Sequence, residues 1–123
     1  MRKIVLACLL CFVLVTSASA TLEFTGRGNS LQFDTTEFPP QMKKNFEIFK
    51  VKCTKCHPQQ RIVIAYVSGR MPITGQTFDM DSLKTLSFRM YRKAMTKPET
   101  FISKEEIKPI HILLKYMMEA SSH

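Results

Sequence analysis

No stretch of this chain is apolar for long enough to cross a bilayer as a helix. The apolar run from Ile4 to Val15 is too short for that. Acidic side chains are scarce, 10 Asp and Glu against 18 Lys and Arg, so the formal net charge is +8. That balance points to acidic protein surfaces, anionic membranes or nucleic acid as counterparts. No internal repeat is present, which excludes a solenoid or propeller. Cysteine is also sparse, at four residues.

The distribution of those cysteines depends on how the N-terminus is read. Met1, Arg2 and Lys3 are followed by the apolar run and then by Ala18-Ser19-Ala20. A basic start, a short apolar stretch and an A-x-A site describe a secretory signal peptide over residues 1–20, with cleavage after Ala20. A lipobox reading of Val5-Leu6-Ala7-Cys8 ranks below it, because the apolar stretch before Cys8 is very short. Removing the first 20 of 123 residues leaves 103, enough for one small domain. The mature chain keeps 16 basic side chains against 10 acidic ones. Export to the bacterial periplasm removes nucleic acid from the set of partners.

Cys8 and Cys11 leave with the leader, so Cys53 and Cys56 are the only mature cysteines. An exported protein commonly carries a structural disulfide. Here both thiols instead lie in Cys53-Thr54-Lys55-Cys56-His57, a C-x-x-C-H sequence. Two thiols at this spacing can each add to one vinyl group of a haem, and the adjacent imidazole can bind the iron from one side. A thioredoxin-like thiol pair would require a βαβ setting, and none is evident. Structural zinc usually takes four ligands, and His111 and His123 supply no second ligand pair. The motif therefore predicts one covalent c-type haem on Cys53 and Cys56, with His57 as proximal iron ligand.

The rest of the chain divides at Pro39-Pro40. Residues 21–38 form an N-terminal arm in which two short alternating runs flank Gly26-Arg27-Gly28-Asn29; a small hairpin and a loosely ordered arm fit equally well. Residues 39–123 form the haem domain. A helix is predicted over Gln41–Lys52, with Phe46, Phe49 and Cys53 on one face. Ile62 to Val67 reads as strand or helix, and Gly69, Pro72 and Gly75 then predict a loop. Asp79 or Asp81 caps a third element bearing Leu83, Leu86, Met90, Tyr91 and Ala94. Ser103 with Glu106 forms a capping-box pair before a last amphipathic helix, which Pro109 would distort or delay to near Lys108.

The sixth iron ligand is left between three residues. Methionine and histidine are the usual choices. Met95, 38 residues after His57 and past the third helix, ranks first. Met71 sits in a Met-Pro pair but only 14 residues after His57, which leaves little chain to pass from one haem face to the other. His111, on the predicted apolar side of the last helix, would make a bis-histidine site.

Phe49 four residues before Cys53, the motif itself, and Ile107–Glu119 with Tyr116 near its end together resemble a monohaem class I c-type cytochrome. The segment from Met95-Thr96-Lys97-Pro98 to Ser103-Lys104-Glu105-Glu106 is similar to small bacterial members, in which a ligand methionine precedes such a helix start. The resemblance spans Gln41 to Glu119. It departs from the family at Asn45, where a small residue usually permits close helix crossing, and at Pro109. It implies an all-α fold of three to four helices around one haem, and an electron carrier rather than an enzyme. Lys43, Lys44, Lys50, Lys52 and Lys55 would steer redox partner proteins with acidic docking surfaces, and peripheral contact with an anionic membrane is compatible with the same charge. The rival expectations are an enzyme or gas sensor with an open sixth position, and a haem subunit of a larger oxidoreductase that uses the arm as its contact.

Overall fold

The computed structural model describes residues 21–121; the expected leader and its cleavage site lie outside them. The order is β1 (Glu23–Thr25), β2 (Gln32–Asp34), α1 (Pro40–Lys52), α2 (Gln59–Ser68), α3 (Met80–Ala94) and α4 (Lys104–Ser121), with short 3-10 turns at Gly28–Ser30 and Pro98–Thr100. The protein is thus mostly helical, with one small sheet.

The arm is an antiparallel hairpin, with Phe24 opposite Phe33 and Glu23 opposite Asp34. Its turn needs glycine at residue 26, where φ is +81° and a Cβ would collide with the Ser30 carbonyl oxygen. Far from hanging loose, the arm is built into the core. Leu22 and Phe33 are buried. The Leu22 N–H donates to the Ala120 carbonyl (3.2 Å), and the Phe33 N–H donates to Gln59 Oε1 (2.8 Å). The Phe33 ring meets Tyr66, Phe46 and Phe49 edge-on, with centroids 5.5, 6.2 and 6.3 Å away.

The helices follow their local signals. Pro40 occupies the first turn of α1, where a missing N–H costs nothing, and Phe46 and Phe49 are buried as the spacing requires. Asn45 is buried as well, and its Oδ1 accepts a hydrogen bond from Gln41 Nε2 at 3.0 Å. The ambiguous run Ile62 to Val67 is helical. Val63 and Tyr66 are buried while Ile64 and Val67 face outward, a 3.6-residue pattern. Gly69, at φ +66°, ends α2 in the left-handed conformation. Asp79, not Asp81, caps α3, in a reciprocal pair with Ser82.

Two expectations about α4 are corrected. The helix begins at Lys104 and runs through Pro109, without waiting for Lys108. Ser103 and Glu106 cap it reciprocally, at 3.0 and 3.2 Å. The N–H that proline lacks would have bonded the carbonyl of Glu105, an exposed residue that water can serve. His111 is exposed, and the buried stripe of α4 runs through Ile110, Leu113, Leu114 and Met117. One residue along a helix is a turn of about 100°, enough to swing His111 off that stripe. α4 is the central element: α1 packs most extensively against it, and α2 and α3 also touch it.

Candidate functional site: an apolar cleft at the C-x-x-C-H sequence

The end of α1, the turn after it, α2, the 70–78 loop, α3 and α4 enclose a cleft of about 340 Å³, within the range of about 300–1,000 Å³ common for cofactor sites. α1 delivers Phe49, Lys52 and Cys53 to its wall, and the following turn adds Cys56 and His57. α2 runs along it with Arg61, Ile62, Ala65 and Tyr66. The loop gives Met71, Pro72, Ile73 and Thr74; α3 gives Leu83, Leu86, Met90, Tyr91 and Lys93; α4 gives Ile110 and Leu114. The lining is apolar apart from cations and a few hydroxyls.

Cys53 sits at the C-cap of α1, its N–H bonded to the Phe49 carbonyl at 2.8 Å. Its thiol is pushed up to about 12, first by burial and then by Cys56. Reactive thiol pairs lie in settings that lower the pKa, such as helix N-termini; here the first thiol stands at a helix C-terminus in an apolar wall. Cys56 is exposed.

His57 is half-buried, and its Nδ1 is buried without a hydrogen-bond partner. Burial, then the cations Arg61 and Lys93, hold its pKa below the ordinary 6.5. The ring is therefore neutral at pH 7, the state in which imidazole binds a metal. Among the described residues no group of three or more His, Cys, Asp and Glu gathers around one point.

Of the three candidates for a second axial ligand, the cleft takes Met71 and leaves out Met95 and His111. Met95 caps the C-terminus of α3, is 46% exposed, and borders a shallow depression with Thr96, Lys97, Pro98 and Phe101. Met71 is half-buried on a loop that backbone hydrogen bonds close. Its N–H donates to the Gln76 carbonyl (2.8 Å), Gly75 N–H donates to the Met71 carbonyl (2.9 Å), and Phe78 N–H donates to that of Gly69 (2.8 Å). Arg70 and Thr77 form an isolated β-bridge, and the Arg70 guanidinium donates to the Gly75 carbonyl at 3.2 Å. Met90 lines the cleft too, from the regular helix α3.

Sequence reasoning missed Tyr66, Tyr91, Arg61 and Lys93 as wall residues. Tyr66 is buried and its hydroxyl donates to the Leu114 carbonyl at 2.9 Å. Burial raises the pKa of both tyrosines, that of Tyr91 to about 12. A helical reading of Ile62 to Val67 would have set Ile62, Ala65 and Tyr66 on one face and so flagged Tyr66. Of the five lysines expected to steer partners, Lys50, Lys52 and Lys55 are engaged. Lys52 Nζ donates to the Phe101 carbonyl and pairs with Glu106 at 3.4 Å, and Lys55 Nζ donates to the Glu99 carbonyl. Both brace the end of α1 against the approach to α4, and Lys50 pairs with Glu47.

No protein-family model, curated protein or solved structure matches this chain.

Proposed function

We propose that the chain is a c-type cytochrome of the periplasm that carries one haem in this cleft and transfers single electrons. The observation that carries the reading is the meeting of Cys53, Cys56 and His57 with a methionine, Met71, around one large apolar cleft. The residues fit the group in four respects. The walls are apolar, and two thiols stand at attachment spacing. The histidine is neutral with a free ring nitrogen, and Arg61 and Lys93 offer cations to carboxylates. The close packing of α1 on α4 agrees with the resemblance to class I cytochromes.

Bound haem supplies a one-electron iron couple. Cys53 and Cys56 would hold it by thioethers, so that it stays attached in both oxidation states. His57 would ligate the iron, and Met71, a soft thioether donor, would favour the ferrous state and raise the potential. With His57 and Met71 both given to the iron, no site would be left for a substrate, and the protein would act as a carrier and not as an enzyme. The apolar walls from α2, α3 and α4 would limit solvent access to a bound haem and so tune its potential. We take Met71 as the distal ligand in place of Met95 because it alone of the three expected candidates faces the cleft.

Spectroscopy of the exported protein tests the reading. Haem that resists acid–acetone extraction, and becomes extractable when Cys53 and Cys56 are both changed to Ala, is the expected result. The methionine-to-iron band should vanish in Met71→Ala and persist in Met95→Ala and Met90→Ala. Loss of the band only in one of the latter two refutes the ligand assignment. High-spin iron that binds carbon monoxide in the unaltered protein replaces the carrier with a sensor or an enzyme. Absence of covalent haem ends the proposal.

A further inference from the structure

Between Asp81 and Glu99 the chain carries no acidic residue, yet it carries Lys84, Arg89, Arg92, Lys93 and Lys97, all exposed. Most of this stretch is α3, whose inner face lines the cleft. Residues 84, 88, 92 and 95 follow one another on its outer face at helical spacing. They read Lys, Phe, Arg, Met. Phe88 is 65% exposed, with the Arg92 guanidinium 5.9 Å from its ring centroid. Met95 borders the same shallow depression as Phe101, and both are about half exposed. Three large apolar side chains thus stand out in water along one convex strip, among the cations Lys84, Arg89, Arg92 and Lys97; Lys93 lines the cleft, and the acidic Asp81 and Glu99 stand at the two ends of the cationic stretch.

We infer that this strip, from Lys84 to Phe101, docks on an anionic lipid bilayer. Cations near an anionic leaflet are drawn to it, and apolar tips at the same level enter the headgroup boundary. A convex helix face suits a deformable bilayer, whereas protein partners are usually anchored in well-packed pockets. The depression beside Met95 is shallow, and the adjacent side of α3 opens on the cleft. No helix among the described residues is long and apolar enough to cross a membrane, so the contact is peripheral. The inference does not depend on what fills the cleft.

Co-sedimentation with vesicles tests it, using phosphatidylglycerol mixed with phosphatidylcholine at one to three, and phosphatidylcholine alone, at ~0.1 M salt. The protein should pellet with the anionic vesicles and not with the neutral ones. Charge reversal by R89E with R92E should weaken binding at least ~20-fold, from about fivefold per cation removed, and Phe88→Ser about tenfold. The pair K43E with K44E, an equal charge change on α1, should stay within about threefold. All variants share one N-terminus, so residues before Thr21 cannot produce the difference. Equal losses from the α1 and α3 reversals would reduce the effect to net charge and overturn the site. Failure to pellet with anionic vesicles would overturn it outright, as would tighter capture by soluble polyglutamate than by vesicles, the outcome that points to an acidic protein. Haem spectra recorded on the same samples keep a failure here separate from a failure of the cytochrome reading.

Discussion

Replacing Phe33 by alanine tests whether the N-terminal hairpin is part of the domain or a detachable contact arm. Phe33 is 5% exposed, and its ring meets four others, those of Phe24, Phe46, Phe49 and Tyr66, at 5.5 to 6.3 Å. Truncating a buried phenylalanine costs about 3–5 kcal/mol, the cavity included. The hairpin is short and could settle partly into the gap, so about 3–4 kcal/mol is the reasoned value. At about 4–8 °C per kcal/mol for a domain near 100 residues, the melting temperature should fall by about 12–30 °C. Phe24, half-buried with its ring 5.9 Å from that of Phe33, provides the contrast: Phe24→Ala should cost about 1 kcal/mol. Thermal melting followed by far-ultraviolet circular dichroism reads both. A shift under about 5 °C for Phe33→Ala would mean that the arm contributes little to the core, and would revive the reading in which it serves a partner. Phe49 and Tyr66 also line the cleft, so the same side chain that anchors the arm stiffens the wall.

Two further predictions concern single groups. Tyr66→Phe removes the hydroxyl bonded to the Leu114 carbonyl, which keeps its own helical partner, so urea titration should show a loss of about 1 kcal/mol; no loss would mean that the bond adds nothing net. Glu106 is held below its ordinary 4.5, chiefly by the Ser103 N–H and then by the Ser103 hydroxyl and Lys52, against a smaller opposing effect of burial. Its folded value lies below its unfolded one. The stabilisation is therefore complete above the ordinary glutamate range and is lost as pH falls through the folded value. Glu106 is largely solvent-screened, so the effect stays under about 1 kcal/mol. The stability gap between the protein and Glu106→Gln should narrow as pH falls below the ordinary glutamate range, and a gap independent of pH would refute the assignment.

The fold was legible wherever local chemistry and burial agreed. The proline start of α1, the Ser103–Glu106 cap and the apolar stripe of α4 are written in residue spacing, whereas the cap of α3 was left between Asp79 and Asp81. The apolar run of α2 was not legible, because six consecutive apolar residues carry no period until a partner surface decides which of them is covered. Pro109 misled for another reason. The penalty for a proline depends on where the orphaned carbonyl points, and sequence does not say that Glu105 faces water. His111 was placed on the apolar side by counting from Ile107, yet Ile110 and Leu114 define that side and put His111 just off it.

The cleft was half legible. Cys53, Cys56 and His57 are contiguous, so their convergence needed no tertiary information. Which of the expected candidates lines the cleft did, and contour length was the wrong measure for that placement. Fourteen residues look too few to carry Met71 away from His57 and back to the same cavity. Ten of them form α2, whose rise of about 15 Å runs along the cleft wall as a stiff rod. Gly69, in the left-handed conformation, then reverses the chain at once. The loop that follows is held by backbone hydrogen bonds, by the Arg70 guanidinium and by the buried Phe78 ring, 5.0 Å from that of Tyr66, while Ile73 at its tip is 78% exposed. A short connection thus returns Met71 to the wall that begins at His57. The longer one, through α3, ends with Met95 on the outside, because Ala94 takes the inward position at the last turn and the next residue is rotated by about 100°. Direction of travel, set by one helix and one glycine, decides which sulfur faces the cleft.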